Sequence, residues 1–128
     1  MHWVNLIAVL AILQYLYFGI LVGKARGKYN VEAPAVSGHP EFERYYRVQM
    51  NTLEMLVFFL PSLYLFAEYV DAIIAAGLGL VYLVGRFLYQ QSYVKDPKTR
   101  GLGFGLTILP SLAMALVTLV YIVISLLP

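Results

Sequence analysis

Arg44, Arg47, Asn51 and Glu54 recur at intervals of three, four and three residues where a charged stretch after Pro40 runs into apolar sequence. On a helix this spacing sets all four side chains along one face. Guanidinium forks of this kind bind carboxylates, and a carboxylate takes an ammonium or an arginine partner. A second group follows forty residues on: Tyr89, Gln90 and Tyr93 lie three, four and seven residues beyond Arg86, again one helical face. An ionised side chain at mid-bilayer costs about 2.5–3.5 kcal/mol on insertion scales, so such groups are buried between helices and mark a site. The chain has no cysteine, so any sulfur chemistry uses a thiol brought by the substrate.

The elements that carry these residues are apolar spans. Hydrophobic residues make up 61% of the 128-residue chain and charged residues 12%, against roughly 45–50% and about 25% in soluble domains. Trp3–Val22, about Met50–Val70, Ala72 to about Tyr89, and Leu102–Leu127 each approach the roughly 20 residues a helix needs to cross a bilayer. The expected architecture is an all-α integral membrane protein, a bundle of four transmembrane helices forming a single domain over residues 1–128, with a long loop from Gly27 to Pro40. Proline at the first turn with Glu41 and Glu43 beside it predicts that the second helix starts near Pro40, in water, and continues into lipid. Pro61 predicts a kink. Gly77, Gly79 and Gly85 offer small surfaces for close helix approach. Asp96-Pro97 signals a turn, after which Arg100 opens the fourth helix.

The first span lacks a basic leader and its cations follow it, so it reads as a retained helix and not a cleaved signal. Lys24, Arg26 and Lys28 follow the first span and Lys95, Lys98 and Arg100 the third, whereas the turn between the second and third holds Glu68 and Asp71. By the positive-inside rule both basic loops are cytoplasmic, and Lys95 and Lys98 read as topology anchors. The net charge of +2 is accounted for by this asymmetry, and nothing suggests nucleic acid. Gly101-x-Gly103-x-Gly105 echoes a dinucleotide loop, but no strand precedes it. His2 and His39 lack the spacing of a metal site, and neither Ser37 nor Ser92 has a base partner for a hydrolase triad.

Phe42-Glu43-Arg44-x-x-Arg47-x-Gln49-x-Asn51-x-x-Glu54 entering the second span, and Arg86-x-x-Tyr89-x-x-x-Tyr93 leaving the third, resemble the MAPEG family, membrane-associated proteins in eicosanoid and glutathione metabolism. The likeness covers nearly the whole chain and is strongest to the branch containing leukotriene C(4) synthase, microsomal glutathione transferase type two and the five-lipoxygenase-activating protein. It implies a homotrimer with glutathione sites between neighbouring subunits, open to the cytoplasmic side of the inner membrane or endoplasmic reticulum. Residue by residue, it implies glutathione contacts at Arg47, Asn51, Glu54, Tyr89, Tyr93 and Arg100 of one subunit and at Arg26 and Gln49 of its neighbour. Arg100 matches the arginine that stabilises the glutathione thiolate. Arg44 and Arg86 match arginines of the motif, in a site-supporting or structural role. Gly27, Met55 and Gly19 depart from the branch pattern, where an arginine, a tyrosine and a serine stand; the expectation is that the glutathione pocket survives and the lipid side differs.

What the resemblance implies is a membrane glutathione transferase acting on lipophilic electrophiles, with lipid hydroperoxide reduction as a further activity, glutathione as substrate or cofactor, and no metal. A free thiol of pKa about 8.5 is only a few per cent ionised at neutral pH, and the thiolate is the nucleophile. A guanidinium beside the sulfur that lowers this pKa by about two units makes thiolate the major form, at about 1.4 kcal/mol per unit. The other expectation is a non-enzymatic lipid-binding scaffold, which shares the string around Arg44 and Arg47.

Overall fold

The computed structural model describes residues 1–128. Four helices, α1 (His2–Tyr29), α2 (Pro40–Tyr69), α3 (Ala72–Lys95) and α4 (Gly101–Leu126), account for nearly all of it, with one 3-10 turn at Pro97–Thr99 before α4. All four are long and apolar enough to cross a membrane. Their starts are written locally. His39 Nδ1 accepts from the Glu41 N–H at 3.2 Å, Pro40 occupies the first turn, and Glu41 and Glu43 lie at the positive end of α2, the arrangement a helix N-terminus favours. Asp71 caps α3 by accepting from the Ile74 N–H at 2.8 Å. Asp96 does the same for the 3-10 turn, accepting from the Lys98 N–H at 3.1 Å.

The loop between α1 and α2 is shorter than the sequence pattern predicts. Gly27 lies inside α1, with open space around it, and the helix ends at Asn30, which adopts the left-handed conformation at φ 55°. Asparagine is one of the few residues besides glycine that takes this cap. The remaining loop folds back on the helix. Arg26 Nη1 donates to the Ala35 carbonyl at 2.7 Å, and its guanidinium carbon sits 4.9 Å from the centre of the Phe42 ring.

Helix α2 contacts all three other helices. Successive helices run antiparallel: the Tyr64 hydroxyl, late in α2, donates to Asn5 Oδ1, early in α1, at 2.9 Å. Arg44, early in α2, donates from Nη1 to the Val94 and Lys95 carbonyls at the end of α3, at 3.3 and 3.2 Å. The two basic loops therefore share one end of the bundle. Mid-bundle, the Phe59 and Tyr82 rings stack at 3.7 Å, enclosed by Val4, Ile7, Leu63 and Met114. Helix α2 passes through Pro61 unbroken, and the neighbouring Ser62 hydroxyl donates to the Phe58 carbonyl at 2.8 Å.

Glycine decides how closely α3 and α4 approach. A Cβ on Gly85 would lie 2.8 Å from the Leu106 carbonyl carbon, and one on Gly103 would run into the Tyr89 backbone and within 2.9 Å of the Gly85 carbonyl oxygen. Gly79 similarly faces Ile7, Leu63 and Phe59, whereas Gly77 meets nothing within 4 Å and is not a packing glycine within the chain. Leu13, Leu16 and Ile20 of α1 and Leu109, Leu116 and Leu119 of α4 are all at least half exposed, an apolar exterior of the kind a membrane or neighbouring subunits cover.

Candidate functional site

Three helices converge at the basic end. Arg47 and Asn51 from α2, Tyr89 and Tyr93 from α3, and Arg100 and Phe104 at the start of α4 line one open cleft of about 430 Å³, within the usual size range for small-ligand sites. Each helix contributes residues three or four apart, so the cleft is a consequence of helical periodicity on three neighbours at once. The Gly103 contact brings the first turn of α4 against Tyr89, which sets Arg100 and Phe104 beside the tyrosines.

Arg47 Nη2 pairs with Glu54 Oε1 at 3.1 Å, across two helical turns, and both side chains are about half exposed, at 50% and 55%. It is the one ion pair in the chain, and in contact with solvent a pair of this kind is worth about 0–1 kcal/mol. An incoming ligand can therefore replace it at little cost. The Tyr89 and Tyr93 rings stack with centres 5.4 Å apart. Arg100 Nη1 donates to the Pro97 carbonyl at 2.7 Å, and the rest of its guanidinium is exposed. A neighbouring trough of about 310 Å³ shares Arg47 and Tyr93 and adds Val36, Glu43, Arg44 and Tyr46.

Not every arginine of the pattern faces the cleft. Arg86 is 0% exposed. Its Nη2 donates to Asn51 Oδ1 at 3.0 Å and Thr52 Oγ1 at 2.8 Å, and its Nη1 to Thr107 Oγ1 at 3.4 Å. Its guanidinium carbon lies 4.3 Å from the centre of the Tyr89 ring. It is part of the interior, and the shared helical face expected for Arg86, Tyr89 and Tyr93 splits by depth: the arginine is inside, the tyrosines border the opening. Arg44 caps the end of α3, a structural task. Arg26 and Gln49 are both outside the cleft of their own chain. Arg26 holds the α1–α2 loop, and Gln49 packs its amide on α1, where a Cβ on Gly19 would lie 2.6 Å from Gln49 Nε2. Glycine at position 19 thus makes room for Gln49. Phe104 was not among the expected site residues; its signal was its position four residues after Arg100. Thr52 and Thr107 were also missed, because a threonine in an apolar helix ordinarily satisfies its own hydroxyl on the preceding turn. No group of three His, Cys, Asp or Glu side chains gathers in the fold.

The sequence profile of the MAPEG family matches residues 4–120. The chain belongs to the MAPEG family. With four helices of membrane-spanning length and composition, it is an integral membrane protein. This MAPEG chain is 51% identical over 112 residues to an uncharacterized protein of Synechocystis sp., the match covering 88% of the chain and 82% of that protein. It is 43% identical over 102 residues to human microsomal glutathione S-transferase 2, covering 80% and 69% of the two chains. It is 37% identical over 94 residues to bovine leukotriene C4 synthase, covering 73% and 63%.

Proposed function

We propose that the protein is a membrane glutathione transferase that joins the glutathione thiol to lipophilic electrophiles. The observation that carries the reading is the convergence of Arg47, Asn51, Tyr89, Tyr93 and Arg100 in one open cleft, in a chain similar to microsomal glutathione S-transferase 2. The γ-glutamyl end of glutathione is itself a zwitterion. Its carboxylate suits Arg47 and its ammonium Glu54, so the Arg47–Glu54 pair opens and each partner takes the complementary ligand group. The N–H donors of Asn51 and the tyrosine hydroxyls are available to the peptide backbone and the second carboxylate.

Arg100 holds the sulfur as thiolate, its charge favouring the ionised form, and the thiol proton leaves to solvent. The sulfur lone pair then forms a C–S bond as the carbon–leaving-group bond breaks; on a chlorinated aromatic ring, chloride departs with the electron pair. The electrophile arrives from the bilayer along the apolar exterior. Reduction of lipid hydroperoxides is a second activity of this site: the thiolate takes the terminal oxygen as the O–O bond breaks and the lipid alcohol leaves, and a second glutathione thiol then displaces water from the sulfur to give the disulfide.

The site is completed in a homotrimer, open to the cytoplasm. Arg26 and Gln49 lie outside the cleft of their own chain, as residues supplied to a neighbour would. Arg47, Glu54 and Arg100 are exposed in the single chain, and ionised groups beside a bilayer are sheltered by contacts between subunits. Calorimetric titration of the purified protein with glutathione, followed by turnover with glutathione and 1-chloro-2,4-dinitrobenzene, tests the transferase. Glutathione binding with conjugate formation is the expected result; a folded protein that binds lipid but no glutathione would instead be a scaffold. Detergent-corrected mass measurement should return three chains, and an active monomer would remove the intersubunit site.

A further inference from the structure

A guanidinium with no exposed surface and no carboxylate partner stands directly behind the cleft. Arg86 donates only to neutral partners, Asn51, Thr52 and Thr107, and packs on the Tyr89 ring. Its Nε has no partner at all. Burying an unpaired cation between transmembrane helices is costly, and an apolar side chain of similar volume would often be as stable or more so. Holding the bundle together is therefore a poor account of an arginine here.

Hydrogen-bond polarity supplies a better one. Arginine can only donate. The Thr52 hydroxyl already donates to the Val48 carbonyl at 2.7 Å, and the Thr107 hydroxyl to the Gly103 carbonyl at 2.8 Å, so both oxygens turn their accepting side to Arg86. Asn51 must do the same. Its Oδ1 is committed to Arg86, and its Nδ2, which makes no hydrogen bond within the chain, is left for the cleft that Asn51 lines. The same guanidinium backs the Tyr89 ring, a second cleft wall.

We infer that Arg86 is a positioning residue: it locks the Asn51 amide with its N–H donors toward the cleft, making that position specific for an acceptor oxygen of the ligand. The inference rests on the glutathione reading, in which that acceptor is a carbonyl or carboxylate oxygen of the tripeptide. Arg86 touches no ligand and acts through Asn51.

A double-mutant cycle on the purified full-length protein, read by calorimetric titration with glutathione and by thermal stability, tests this. Arg86→Met keeps the volume and removes the donors, freeing the amide to turn. It should raise the glutathione dissociation constant about tenfold in the Asn51 background and change it less than about twofold in an Asn51→Ala background. Asn51→Asp, which gives Arg86 a counter-charge but turns the donor into an acceptor, should raise the melting temperature and weaken glutathione binding. Thr107→Val removes a partner of Arg86 and should leave glutathione affinity unchanged. If Arg86→Met does not fold, Arg86→Gln takes its place in the cycle, since its amide can donate or accept and so does not fix the Asn51 amide, and the same difference between the two backgrounds is expected. Arg86→Lys, which retains a donor for Asn51, should keep most of the affinity. Equal losses from Arg86→Met in both backgrounds, or none in either, would overturn the positioning role while leaving the glutathione reading in place. Failure of the unmutated protein to bind glutathione would overturn that reading and this role together.

Discussion

Arg86 and Arg100 hold the same functional group on the two sides of one cleft wall. Arg86 is sealed, with three side-chain oxygens within reach of its two terminal nitrogens. Arg100 is exposed and spends one terminal nitrogen on the Pro97 carbonyl. A guanidinium sealed among buried partners cannot exchange them without disturbing the fold, so its contribution is to geometry. One with free donors next to an opening can respond to charge that arrives or develops. The contrast separates residues that shape the site from those available to act in it, and residue type alone does not make the distinction.

The sharpest way to break the contrast is to truncate the interior member. Arg86→Ala leaves a cavity and strips Asn51, Thr52 and Thr107 of a shared donor, and it should cost roughly 3–5 kcal/mol, seen as a large fall in the detergent melting temperature or loss of the folded protein. A fall no larger than that of Arg100→Ala would erase the distinction.

Arg100→Ala should show the opposite signature. Glutathione affinity and melting temperature change little, while the ultraviolet difference absorbance of bound thiolate is lost and turnover drops by ~10–1000 fold, the effect of one charge-stabilising donor. A retained thiolate signal at full rate would turn attention to Arg26 of a neighbouring subunit.

Glu54→Ala and Arg47→Ala address the ion pair beside the cleft, of which Arg47 lines the opening and Glu54 is held by Arg47. Each should raise the glutathione dissociation constant about tenfold, for a lost charged hydrogen bond of roughly 1.5–3 kcal/mol, with a stability change under about 1 kcal/mol because the pair is solvated. Unchanged affinity in the folded variants would make the pair structural, as Arg44 is at the end of α3. Lys98→Ala, exposed on the same turn as Arg100, should alter neither turnover nor affinity, and any effect comparable to Arg100→Ala would mean that general loop charge matters and not one placed guanidinium.

The four helices and the start of α2 are legible in the chain because they depend on local properties: apolar runs of bilayer length, Pro40 followed by two glutamates, Asp71 and Asp96 at caps. The stripes that face the cleft are legible too, since a helical period of 3.6 residues puts Arg47 with Asn51, and Tyr89 with Tyr93, whatever the rest of the fold does. Depth is different. Arg86, Arg44 and Arg100 look alike as residues entering or leaving apolar spans, yet one is dry, one caps α3 and one is free. That outcome depends on how far α3 and α4 slide together, and the limit is set by the absence of a Cβ at Gly85 and Gly103, on separate helices. Composition and periodicity determined by themselves that this chain is a membrane helical bundle with a basic end. Only the tertiary packing decided which guanidiniums keep donors to spare, because burial and hydrogen-bond partners belong to the surfaces that meet and not to the residues that carry them.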